Sequence, residues 1–165
     1  MLDPITAAGL ASSIITFLTL AAQVTKHAHE FSTLAGELPA DLQSCKDIVE
    51  VIERSSKRIH AQLSTTATDG PLFGPRTALE VDLETLFHQC TLTTESLIKL
   101  FGEINGSISS FSKALKVVRK QGRIQQIRND LQQQTLVILC ARGIVKSYYC
   151  RYSVSLSLSS TLSFV

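Results

Sequence analysis

The chain has 165 residues, 44% of them hydrophobic and 18% charged, which excludes wholesale disorder. At that length one domain buries ~70% of its unfolded surface, so neither disulfides nor a metal is needed to hold it. Eight glycines, four prolines and no tryptophan favour long helices over a turn-rich sandwich or barrel. The net charge of +2 is unevenly spread: residues 1–65 sum to −2, 66–110 to −4 and 111–165 to +8. Either the acidic and basic segments lie against each other, or the basic one meets a polyanion or lipid headgroups.

The first element runs between Asp3 and Lys26, without a charge in between. That is roughly the length of a membrane-crossing helix. A signal peptide would carry a basic start, and Asp3 stands there instead. Ser12, Thr16, Thr19 and Gln23 recur at helical spacing and draw a polar stripe. Leu10, Ile14, Phe17, Leu18 and Ala21 form the opposing apolar face. The pattern suits a bundle helix, with membrane contact in some state as the alternative. Asp3 and Pro4 are good first-turn residues.

A second run opens at Phe31 and keeps steps of three and four through Leu34, Leu38, Leu42, Cys45, Val49, Ile52, Ile59 and Leu63, with Ser56 filling the one gap. Gly36 and Pro39 predict a break near its start. Lys46, Asp47, Glu50, Glu53, Arg54 and Lys57 form its outer face. Turn chemistry fills 64–77. The third run is Leu79, Leu83, Leu86, Cys90, Leu97, Phe101 and Ile104, closed by Asn105-Gly106-Ser107.

A fourth run extends from Phe111 to about Ile138, with Leu115, Val118, Ile124, Ile127 and Leu131 apolar. Its basic residues Lys113, Lys116, Arg119, Lys120 and Arg123 are candidates for anionic contact. The predicted fold is all-α, an antiparallel bundle of about four long helices over residues 1–140. Residues 141–165 read as a Ser/Leu-rich tail; Ser153 to Leu158 alternate with the period of a strand. A lone strand has no partner in a bundle, so this tail is expected to be poorly ordered and dispensable.

Catalytic chemistry finds no support in the sequence. There is no GxxxxGK[ST] or GxGxxG loop and no HExxH. His27 and His29, two apart, do not share a helix face. His88 and Cys90 are an implausible catalytic pair, because Cys90 belongs to an apolar run. Glu80, Asp82 and Glu84 read as a solvated helix start. Cys45, Cys90, Cys140 and Cys150 make no CxxC pair, which fits free thiols in a reducing cytoplasm. The sequence therefore predicts no enzyme, no cofactor, no metal and no nucleic-acid partner; Tyr148, Tyr149 and Tyr152 stand in no recognised binding motif.

Two segments carry a family resemblance. The opening Met1-Leu2-Asp3-Pro4-Ile5-Thr6-Ala7-Ala8-Gly9-Leu10-Ala11-Ser12-Ser13-Ile14-Ile15-Thr16-Phe17 resembles the start of fungal SesA and HeLo-like domains. These precede NACHT and other P-loop NTPase modules in fungal NLR-like (STAND) proteins. Ser110 to Lys120 with Ile124 to Leu131 looks like that family's last helix. The resemblance spans about residues 1–139 and implies an effector or adaptor bundle linked to heterokaryon incompatibility and programmed cell death.

Expected partners are like helical domains or an NLR-type receptor. In the HeLo branch the first helix is thought to enter membrane on activation, which would place Leu10, Ile14, Phe17 and Leu18 at the contact. The chain as given has no NTPase module, and its tail reads as the product of a truncated gene or an unspliced frame.

Overall fold

The computed structural model describes backbone over residues 5–66, 78–106 and 109–161, and side chains mainly over 9–62, 81–106 and 111–143. The expected caps at Asp3 and Pro4, the 67–77 turn and Ser107 lie outside the described residues. So do the side chains of Leu63, Leu79 and the last 22 positions. The described residues hold five helices and no strand: α1 (Ile5–Ala35), α2 (Ala40–Thr66), α3 (Ala78–Asn105), α4 (Ser110–Arg119) and α5 (Gln121–Thr161).

In α1 the core residues Leu10, Ile14, Phe17, Ala21, Val24, Ala28 and Phe31 alternate steps of four and three without a miss. That is a seam of period 3.5, the pattern that packs side chains into the gaps of a neighbouring helix. The polar stripe opposite is exposed, and Thr16 and Thr19 donate to the carbonyls of Ser12 and Ile15 at 2.9 and 3.0 Å. The helix stops at Gly36, whose φ of 90° lets its N–H reach Ser32 O at 3.0 Å. Phe31 therefore closes the first seam instead of opening the second, and Leu34 is exposed.

After Pro39, whose carbonyl accepts from the Gln43 N–H at 2.9 Å, the second seam is Leu42, Cys45, Val49, Ile52, Ser56 and Ile59. Ser56 fits a core position because its hydroxyl bonds back to Ile52 O at 2.7 Å. On the outer face Lys46–Glu50 and Lys57–Glu53 pair at 2.7 and 2.6 Å, spaced four apart. The third seam adds Phe87, Thr94 and Leu100 to the sequence-predicted positions, all fully buried.

The four long helices close a ring in which α1 packs mainly on α3 and α2 mainly on α5, with α1–α2 and α3–α5 completing it. Direction follows from the cross-links. The Phe17 and Phe87 rings lie 6.3 Å apart, and Asn105 Nδ2 donates to His27 O at 3.3 Å, so α1 and α3 run parallel. Asp41, in the first turn of α2, accepts from Gln121 at 3.3 Å and Arg128 at 2.7 Å at the start of α5, so the two N-termini lie together and α2 and α5 also run parallel. Gln134 bonds Thr93 at 2.9 Å and Arg123 faces Glu103, which makes α3 and α5 antiparallel.

The bundle is thus antiparallel across two of its four seams and parallel across the other two. A seam's period dictates how wide its apolar face is, not which neighbour covers it. The eleven residues between α2 and α3 are long enough to cross the diagonal of a bundle whose helices stand 8–10 Å apart.

Two further corrections concern the C-terminal half. The run from Phe111 to Ile138 is two helices, because Lys120 leaves helical geometry at φ −104° and ψ 9°. Residues 153–158, read as strand-like, continue α5 as helix. A strand without a neighbour leaves its N–H and C=O groups unpaired, whereas a helix pairs them within itself.

Thr94 marks the one flaw in the third seam: its Oγ1 is buried without a hydrogen-bond partner, whereas Thr91 bonds Phe87 O at 2.9 Å. Valine fills the same volume without the orphaned hydroxyl. Thr94→Val is expected to stabilise the fold by about 1 kcal/mol, read as a rise of roughly 2–4 °C in Tm by circular dichroism.

Candidate interaction surface

The face of α1 singled out for membrane or partner contact is not available in this state. Leu10, Ile14, Phe17 and Ala21 are in the core and Leu18 is partly buried against it. The reason is the unbroken seam itself, which α3 and α2 cover along its length. Among the described residues no helix is long and apolar enough to cross a membrane.

The basic residues of the α4 region are differently disposed from a solvent-facing cationic patch. Ser109 caps α4 by accepting from Ser112 N–H at 3.2 Å. From there Lys113 is buried, and Lys116 Nζ donates to Glu103 O at 2.8 Å. Lys120 Nζ bonds Glu103 Oε2, and Arg123 stands 3.5 Å from Glu103 Oε1. Glu103 at the end of α3 therefore gathers cations on both sides of the α4–α5 break, Lys116 through its backbone carbonyl and Lys120 and Arg123 through its carboxylate. The hydrogen bond from Lys120, with the Lys120 and Arg123 charges, lowers the Glu103 pKa below its ordinary value. Of the five basic candidates, Arg119 is exposed without belonging to this cluster.

With its lysines turned toward the bundle, α4 presents its apolar side to solvent. Phe111 is 80% exposed, Val118 65% and Leu115 42%. Their spacing of four and three puts them in one stripe. The sequence reading treated them as core-facing; the missed signal is the step of six from Val118 to Ile124. Six residues rotate a helix by about 240°, so the two sets cannot share a face. Glu103 itself carried no sequence signal, since its partners lie 13 to 20 positions away.

A groove of about 340 Å³ lies between α3 and α5, floored by Leu86, Leu92 and Val137 and edged by Gln89, Asp130 and Gln134. Leu92 and Val137 are half exposed. Gln134 donates to Thr93 Oγ1, and its Oε1 is left without a partner.

The other chemistry-bearing residues do not converge. Cys90 is buried, and desolvation pushes its thiol up to about 12; His88 on the same helix is exposed. Burial likewise pushes the Cys45 thiol up to about 11, partly offset by the Arg128 charge. His27 Nδ1 lies 3.1 Å from Glu30, and His29 is exposed. Among the described residues no group of three or more His, Cys, Asp or Glu could hold a metal.

Two outcomes follow. Unfolded thiols ionise near the ordinary value of 9, while folded Cys45 and Cys90 keep their protons until about 11 and 12. The folded state then holds more protons above pH 9, so stability should fall there by ~1.4 kcal/mol per pH unit per thiol. Denaturant melts from pH 8 to 10.5 check this, and Cys90→Ala should flatten the decline. Glu103 has the opposite sign: its contribution holds at neutral pH and is lost as pH falls through its lowered value. Glu103→Gln should speed amide exchange in α4 about tenfold or more while leaving α1 and α3 protected, measured by hydrogen exchange with mass spectrometry.

No family model, no curated protein and no solved structure matches this chain.

Proposed function

We propose that the chain is a non-enzymatic signalling and interaction bundle of effector or adaptor type, as at the N-terminus of fungal NLR-like receptors. The observation that carries this reading is the outward apolar stripe of α4, Phe111, Leu115 and Val118, on a helix whose charged side is occupied by the bundle. Contiguous exposed apolar side chains of that size are characteristic of contact surfaces. The heptad seams and the resemblance of residues 1–17 and 110–131 to SesA and HeLo-like domains support the same reading.

A membrane-acting executor would have to pull α1 out of the bundle. Leu10, Ile14, Phe17, Val24 and Phe31 alone would then be exposed, at about 2 kcal/mol each. That total is of the order of a whole domain's stability, so releasing α1 amounts to unfolding. The resting bundle favours the adaptor reading.

Clustering tests it. The chain fused to a drug-induced dimerisation module and expressed in a filamentous fungus should arrest growth when the drug is added, and not before. Folded, abundant protein that gives no response to forced proximity would overturn the reading. Leakage of anionic liposomes with loss of α1 amide protection would replace it by the membrane-acting one.

A further inference from the structure

We propose that a second copy of this chain is the partner of the α4 stripe, and that it binds the stripe in its own α3/α5 groove. The assignment rests on the interaction-bundle reading and names one contact within it. The stripe offers Phe111, Leu115 and Val118 at the i, i+4, i+7 spacing with which a helix enters a groove. The groove offers an apolar floor of matching kind in Leu86, Leu92 and Val137.

Charge agrees with shape. Of the bases of α4, Lys113 is buried and Lys116 bonds the Glu103 carbonyl, which leaves the exposed Arg119 as the charge beside the stripe. Asp130 lies on the groove edge, and Arg119 flanks the stripe on the outer side of α4.

The molecule cannot satisfy itself. Helix α4 is joined to α5 through Lys120 alone and is tied to Glu103, eleven positions or ~16 Å along α3 from Leu92. A bilayer is the weaker fit, because an interfacial helix carries Lys and Arg in a fringe that reaches the headgroups. Here Lys113, Lys116 and Lys120 point away from the stripe, toward the bundle.

The contact is small, three large side chains in one groove, so association is weak and grows with local concentration. Because stripe and groove are different patches, the contact is heterologous. It closes as a reciprocal pair or runs on as a chain.

Sedimentation of the full chain tests this at up to ~0.5 mM, where weak self-association becomes measurable. Wild type should shift to dimer or larger species, less so in high salt. Phe111→Asp and Val137→Lys should each weaken association about tenfold or more. Both residues are exposed, so the melts should hold; Leu115→Asp and Leu92→Lys serve as second variants on each face.

An equimolar mixture of Phe111→Asp and Val137→Lys is the sharpest arm. The first keeps an intact groove and the second an intact stripe, so the pair should form dimers and nothing larger. A wild type that stays monomeric, or associates equally well in both variants, overturns the proposal. Neither result touches the clustering response, which is read in cells with imposed proximity. Binding of monomeric wild type to phosphatidylserine vesicles, lost in Phe111→Asp, would make a bilayer the occupant and also overturn it.

Discussion

The unbroken seam of α1 must be covered along its whole length, roughly 30 Å from Leu10 to Phe31. Uncovered, it would expose seven apolar positions on a helix whose opposite side is already committed to water. Covering it takes two neighbours, α3 on one side and α2 on the other. Once those are placed, α5 has one site left, between α2 and α3. The diagonal arrangement of α2 and α3 is a product of that requirement.

The surface follows from how α4 is mounted. Ten residues cannot continue the α5 seam once Lys120 breaks the helix, because the rotation has carried their apolar side away from the core. What the bundle can offer α4 is Glu103, and the lysines take it. The apolar side is left outward as the complement of that choice. An exposed ion-pair cluster contributes little to global stability. Its effect is on orientation: it decides which face of a short helix meets the solvent.

Much of the bundle was legible in the sequence where a seam was regular. Leu42, Cys45, Val49 and Ile52, or Leu83, Cys90, Leu97 and Phe101, are core positions in both readings. Where periodicity was interrupted it misled. The spacing carries Phe31 across the Gly36 break into the wrong seam, and it runs Leu115 and Val118 on to Ile124 despite a step of six. Phe87 and Leu100 escaped because they widen a face that the strict pattern makes narrow. Helix directions, the α3/α5 groove and Glu103 depend on contacts between distant residues, and no local pattern encodes those. The alternation at 153–158 shows the limit of period-two reading, since without a pairing neighbour the backbone adopts the helix that satisfies itself.

The parallel neighbours have an electrostatic consequence. In a fully alternating bundle, opposite helix ends stand side by side and their partial charges cancel locally. Here the N-termini of α2 and α5 share one edge of the molecule's end, and the C-termini of α1 and α3 share the other. With about half an elementary charge per terminus, that end is split into a positive and a negative half. Asp41, in the first turn of α2, sits on the positive half. Lys116, bonded to a carbonyl of the last turn of α3, sits on the negative one. Each half is thus met by a side chain of the opposite sign, and α4 is held at the edge whose polarity attracts its lysines.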